Sequence, residues 1–355
     1  MSFLLAFLGF ALLIILHELG HFFAAKAVGM RVERFSLFFP PLLGRVRRGE
    51  TEYAIGAIPL GGYVKITGMN PAEEIPPAVA HRAYYRQPVW KRIVVIGAGP
   101  AVNIVLAFLI LWILLWSNGV GEATGRVERV TAEPAAGALR PGDQLVSVDG
   151  VTGSFADLRE QISTHRCAEE VDGCSAETPA VVVVRNDGEE RTLRLAPVYD
   201  AAQDNMFLGF QTGSEVRPIG PLEAADESVY QLWFFTSKTV ETIAGIFEAD
   251  KRKEISGVVG SYEVTRQTIE LDTERAVYLL AIISLSLGVI NLFPFLPLDG
   301  GHIFWALAEK VRGRAIPFSV MERAGFVGFV LVIALFMIGL TNDVGRLTGD
   351  GFGVR

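Results

Sequence analysis

His17, Glu18 and His21 are the residues whose types and spacing could do chemistry, and they sit in a stretch built like a membrane span. On a helix, residues four apart share a face, so the two imidazoles can converge on one cation. Glu18 neighbours a ligand without being aligned with both, which leaves its carboxylate free to act as general base on water at that cation. His17-Glu18-Leu19-Gly20-His21 thus has the H-E-x-x-H form in which two histidines hold zinc and the glutamate moves a proton. The run Phe3–Leu16 has no charged or strongly polar residue, and the apolar sequence resumes at Phe22 and reaches Val28, broken only by Lys26. Three ionisable groups in five residues are costly in lipid unless they face a protein-lined cavity or a metal. Three other readings compete: a signal peptide with Leu4 to Leu16 as its apolar region and Ala25-Lys26-Ala27 as its cleavage site, two structural histidines satisfied by hydrogen bonds, and a chance H-E-x-x-H that binds no metal. Against the first, no Lys or Arg precedes residue 26.

A third ligand has to come from farther along the chain. Asn291-Leu292-Phe293-Pro294-Phe295-Leu296-Pro297-Leu298-Asp299-Gly300-Gly301-His302 cannot continue as a regular helix through two prolines and a glycine pair. A broken backbone at membrane depth is tolerated where it is buried in protein or lines a cavity. Asp299 offers a carboxylate oxygen, a usual third ligand beside two histidines, and leaves one position for water. His302 ranks second for that place. Asn291 and the carbonyls freed around Pro294 could hold an extended substrate strand. In Gly97-Ala98-Gly99-Pro100-Ala101-Val102-Asn103 the small residues let a neighbouring helix come close. Asn103 there either hydrogen-bonds across helices as ordinary packing or takes a direct part in the site.

The elements that must position these groups follow from composition. At 355 residues there is room for two domains, or for a membrane bundle and a soluble module. Half the residues are apolar and 20% are charged, which favours a membrane protein over a disordered one. The net charge of −7 is unevenly placed, and the absence of a basic run of five or more residues leaves nucleic-acid binding without support. Four apolar segments approach the roughly 20 residues that cross a bilayer. They are residues 1–29, 93–116, 276–302 (interrupted by the Asn/Pro/Asp motif) and 324–342.

Residues 30–92 read as a loop of β-hairpins, with 70–80 as a linker or gating loop. Residues 122–200 are short β-rich runs with a helix from Phe155 to Ser163 and a hairpin closed by Asn186-Asp187-Gly188. Residues 201–275 form a connection whose Tyr230, Trp233, Phe234, Val240, Ile243 and Phe247 suit an amphipathic helix on the membrane surface. Ile255 to Gly260 reads as loop or strand, and 303–323 as a loop. Residues 30–92 carry ten Lys and Arg, and 303–323 adds Lys310, Arg312, Arg314 and Arg323. By the positive-inside rule both face the cytoplasm and the long segment between lies outside. Cys167 and Cys174 are then either a short-loop disulfide or two free thiols.

With these residues in view, the chain resembles the site-2 protease family of intramembrane zinc metalloproteases. The matching stretches are His17 to His21, Pro59 to Lys65, Gly99 to Asn103 and Asn291 to Gly301. The resemblance is nearest to the bacterial branch that cleaves anti-sigma factors (RseP-like proteins). It implies a polytopic α-helical membrane protein of about four transmembrane helices, with a cytoplasmic β-hairpin loop domain and one extracytoplasmic PDZ-like α+β domain over 122–200. It implies Zn2+ held by His17, His21 and Asp299, with Glu18 as catalytic base. Asn291, Pro294 and the 61–65 region, Gly61, Gly62 and Tyr63 among them, would contact substrate.

The expected partners are a single-pass transmembrane protein already trimmed by another protease, a peptide segment at the PDZ-like domain, and the bilayer of a bacterial inner membrane. Three features depart from the family pattern. The second proline falls at Pro297 rather than two residues after Pro294, one PDZ-like domain is present where some relatives carry two, and Ser256-Gly257-Val258-Val259-Gly260 replaces a Ser-Gly-Pro-Val-Gly stretch. The rival readings are a membrane-anchored peptide adaptor without catalysis and a metal or proton transporter.

Overall fold

The computed structural model describes residues 2–70, 73–169, 171–201, 205–246, 248, 252, 255–349 and 351. The chain divides into two units, one of residues 1–115 with 221–355 and one of residues 116–220.

Among the described residues, the first unit consists of helices and one two-stranded sheet with their connections. Helix α1 (Ser2–Ala27) buries Ala6, Leu13, His17, Gly20, His21, Phe22 and Ala25 along one stripe, while Phe3, Leu4, Leu8, Leu12 and Phe23 stay exposed. This is the pattern of a span with one protein-facing side. Helix α2 (Val89–Asn118) buries Arg92, Val95, Ile96, Gly99, Pro100, Asn103, Ala107, Leu111 and Leu115, again at helical spacing. It begins four residues before the expected 93.

Between these two helices lie β1 (Val32–Arg48) and β2 (Thr51–Ile66). They are longer than the separate hairpins read from the sequence. Phe35 lies opposite both Val64 and Tyr53, so the first half of β1 is flanked by both ends of β2. The chain turns within β1 at the cis Pro40–Pro41 bond, and pairing resumes beyond it at Leu42 opposite Gly56. A 3-10 helix at Pro77–Arg82 occupies part of the expected linker. Phe22, Ala25, Met30, Val32, Phe35, Ile66, Tyr84, Val95 and Ile96 form one core that fixes the sheet to α1 and α2.

Helix α4 (Pro221–Ala244) leaves Tyr230, Trp233, Phe234 and Val240 exposed; Phe247 lies outside the described residues. The stretch read as loop or strand at 255–260 instead enters a helix, α5 (Val258–Leu271), because Asp343 caps its first turn. That carboxylate accepts from the Gly257 and Gly260 N–H groups at 3.0 and 2.7 Å. Helix α6 (Thr273–Asn291) is capped by the Asp272 side chain and stops short of Pro294. Residues 292–298 break the helix. A new one, α7 (Asp299–Arg312), then runs through much of the segment expected as a loop from 303. Helix α8 (Phe318–Thr348) follows, also starting earlier than read. Helices α1, α2, α6 and α8 are each long and apolar enough to cross a membrane.

The second unit holds a five-stranded sheet in the order β6-β5-β4-β3-β9. Its strands are β3 (Val120–Val130), β4 (Gln144–Val148), β5 (Ala180–Asn186), β6 (Glu189–Leu195) and β9 (Phe210–Arg217). A small pair, β7 (Val198–Asp200) with β8 (Asn205–Phe207), lies apart. The unit extends past the expected 200 because β9 pairs with β3 along its length, Val120 opposite Arg217 and Val130 opposite Phe210. Helix α3 (Phe155–Ser163) starts at a capping box of Ser154 and Asp157. Its Leu158 and Ile162 join Val127, Leu145, Val148, Val182, Val184 and Leu208 in the core. Asp187 and Gly188 have positive φ at the β5–β6 turn, the geometry an Asn-Asp-Gly sequence favours. Cys167 and Cys174 are joined in a disulfide.

Candidate metal centre

His17 and His21 lie one turn apart on the buried stripe of α1, and Asp299 is the first residue of α7. The break at 292–298 is what aims that carboxylate: a helix starting afresh at Asp299 presents its first residue toward α1. The His17 Nε2–Asp299 Oδ2 distance is 3.2 Å, His21 Nε2–Asp299 Oδ2 is 3.3 Å, and the two Nε2 atoms are 3.3 Å apart. Zinc with bonds of about 2.0–2.1 Å in tetrahedral coordination sets its ligand atoms about 3.3–3.4 Å from one another. The three atoms are thus spaced as three ligand atoms of one such ion would be. Asp299 Oδ2 is buried without a hydrogen-bond partner among the described residues, as expected of an atom reserved for a cation. His17, His21 and Asp299 form a group able to hold a metal; His302, the alternative third ligand, lies one turn farther along α7 and outside that group.

The ring orientation of His21 has a structural cause. Its Nδ1–H donates to the Val95 carbonyl at 2.9 Å, which leaves the Nε2 lone pair for a metal. Gly99, one turn farther along α2, lies against the same ring, and a Cβ there would overlap His21 Nε2 and Cε1. The small-residue run around Gly99 was legible in the sequence. The Val95 contribution was not, because it is a backbone carbonyl and any residue type could supply it.

Glu18 is part-buried and faces the end of β2. A Cβ at Gly62 would stand 2.9 Å from Glu18 Cγ and 3.0 Å from the Ser36 carbonyl. Glycine there is what lets the strand approach the carboxylate. Residues 62–66 pair with β1 along one edge.

The other candidate residues are spread more widely. Gly61 lies in the same strand, with Phe39 beside it. Tyr63 points to the opposite face, stacked on Phe39 at 6.3 Å and accepting from Arg34 Nη1 at 3.1 Å, so its ring is turned away from Glu18. Asn103 is fully buried with neither amide atom hydrogen-bonded among the described residues. Its backbone carbonyl receives the Ser284 hydroxyl at 2.9 Å. Asn291 donates back to the Leu287 carbonyl of its own helix at 3.0 Å, and Pro294 is exposed in the break.

The sequence pattern of peptidase family M50 matches residues 5–335. Similar proteins include one of Nostoc sp., 30% identical with 98% of this chain and 97% of its own length covered. One of Mesorhizobium japonicum is 31% identical, covering 93% and 95%, and one of Rhizobium meliloti is 29% identical, covering 95% of each. All three bear names that describe zinc metalloproteases.

Proposed function

Because the chain belongs to peptidase family M50, the site-2 proteases, we propose that it is an intramembrane zinc metalloprotease that cuts peptide bonds within transmembrane segments. The observation that carries this reading is the triangle of His17 Nε2, His21 Nε2 and Asp299 Oδ2 with edges of 3.2–3.3 Å. A zinc ion there supplies Lewis-acid polarisation of the scissile carbonyl and brings the pKa of water toward neutrality. Glu18 takes the proton from the attacking water as its oxygen bonds to the carbonyl carbon. When the C–N bond breaks, Glu18 returns that proton to the leaving amine.

A peptide bond inside a helix is shielded by its own backbone hydrogen bonds, so the substrate must be locally unwound. The edge strand 62–66 supports a place for it. It runs beside Glu18, and a segment added along it would have its backbone groups satisfied by strand pairing. Asn291 and the carbonyls around Pro294 would border the same extended segment.

The second unit supports a PDZ-like role on this reading: a five-stranded sheet with a helix and an outer strand, β9, able to receive a peptide. Its disulfide suits an oxidising compartment, hence the extracytoplasmic side. The basic residues of 30–92 and 303–323 then face the cytoplasm of a bacterial inner membrane. The substrates that fit are single-pass membrane proteins already trimmed outside, anti-sigma factors or signal-peptide remnants among them, as in an RseP-like protein.

The test is metal analysis of the purified full chain beside cleavage of a single-pass substrate in liposomes, with wild type and Glu18→Gln. One zinc per chain in both proteins, and cleavage by wild type alone, is the expected result. Cleavage by Glu18→Gln would refute the assignment of the base. Absence of zinc from an intact wild-type chain would leave a peptide-binding adaptor instead.

A further inference from the structure

We infer that the ion pair of Arg92 with Glu309 is a positioning element that sets Asp299 against the two histidines. The inference rests on the metal reading above. Arg92 lies in the first turn of α2, its side chain 9% exposed, a costly place for a cation. Glu309 lies on α7, near the end opposite Asp299. The pair is forked, Arg92 Nη1 donating to Glu309 Oε2 at 3.0 Å and Nη2 to Oε1 at 2.8 Å. The Tyr84 ring lies 6.0 Å from the guanidinium. A forked pair fixes orientation as well as distance.

The place of the pair on α2 is what gives it a role at the site. Arg92, Val95 and Gly99 follow at helical spacing on the buried stripe of α2. Val95 holds the His21 ring through its carbonyl, and Gly99 makes room for that ring. Arg92, one turn earlier, holds α7, which begins with Asp299. One helix face therefore orients a nitrogen ligand directly and the oxygen ligand through a lever of ten residues, about 15 Å of helix. Apart from Asp299 itself, Glu309 makes the one ion pair that α7 has with another element among the described residues. If α7 turned by about 20° on its axis, a side-chain tip about 5 Å out would move about 1.7 Å. Metal bonds tolerate about 0.2 Å, so the carboxylate would leave the ligand set.

The experiment measures zinc affinity of the full chain by chelator competition, together with the visible spectrum of the cobalt-substituted protein, for wild type, R92K, E309Q and R92E/E309R. R92K keeps the charge and loses the fork, so it guards against mere misfolding. E309Q is expected to weaken zinc by about tenfold and R92K by several-fold, both with a cobalt spectrum altered from the four-coordinate one. The reversed pair should recover a large part of the loss. Wild-type zinc affinity and cobalt spectrum in both R92K and E309Q would overturn this inference alone. So would a loss in the single variants that the reversed pair does not repair. A wild-type chain that holds no zinc overturns the metal reading first, and this inference with it.

Discussion

On the proposed reading, the division of work among His17, Glu18, His21 and Asp299 follows from which atoms face the centre of the triangle. Glu18 is outside the ligand set, so Glu18→Gln should keep zinc while lowering kcat by at least about 10²–10⁴-fold, the range a positioned general base contributes. Metal content and turnover measured on the same sample check this. Gly99→Ala is a subtler change on paper and should be severe. The added methyl overlaps the His21 ring, and the ring cannot retreat without giving up the Val95 carbonyl. Zinc affinity is expected to fall by at least about tenfold, read by chelator competition, with the helix content of the chain unchanged. A Gly99→Ala protein that binds zinc as tightly as wild type would show that α1 and α2 can separate at this point. His17, Glu18 and His21 were legible from local spacing. The orientation of Tyr63 was not, because the strand register that turns it from Glu18 depends on pairing with β1.

Among the elements, the sheet of β1 and β2 carries the edge strand that faces Glu18, and its anchorage can be tested. At the β1–β2 turn, Glu50 receives both Arg82 Nη1 at 2.6 Å and Nη2 at 2.8 Å, and Arg82 Nε donates to the Gly29 carbonyl at 3.0 Å. The Arg82 guanidinium, with help from Lys26, holds the Glu50 carboxyl well below its ordinary 4.5, at about 2. A folded pKa depressed in this way adds stability that is fully present above pH 4.5 and is lost as pH falls from there through about 2. Hydrogen exchange of the hairpin amides should therefore be steady between pH 7 and 5 after correction for intrinsic rates, and rise below 4.5. Arg82→Ala should raise exchange at neutral pH and flatten that dependence. For a related reason, the stretch 255–260 reads as loop or strand in the sequence although it holds the start of the helix at 258–271. Its start depends on the Asp343 carboxylate arriving from another helix, and no local signal announces a cap that comes from afar.

For the whole molecule, the two units should respond to different treatments. The Cys167–Cys174 bridge closes a loop of sequence separation 7 in residues 116–220. Its reduction should destabilise that unit by about 2–3 kcal/mol in the loop-entropy account. Chemical unfolding followed by a probe in that unit checks this, and zinc content is expected to stay unchanged. Chelation should do the reverse, abolishing cleavage and leaving the denaturation midpoint of the disulfide-bearing unit in place.

The sequence by itself determined the four apolar spans, the histidine pair with its adjacent carboxylate, and the need for a break in the helix somewhere within 291–302. Helical spacing, hydropathy and proline chemistry are all local, and a local pattern is complete wherever it occurs. Only the tertiary structure decided that Asp299 Oδ2 stands 3.2–3.3 Å from both imidazoles, that Val95 fixes the His21 ring, and that Arg92 grips Glu309. Those contacts join residues far apart along the chain, and they exist only because packing of α1, α2 and α7 brings the groups together. The physical reason is that a residue's type records which bonds it can make, while the partner it finds is set by how whole elements pack.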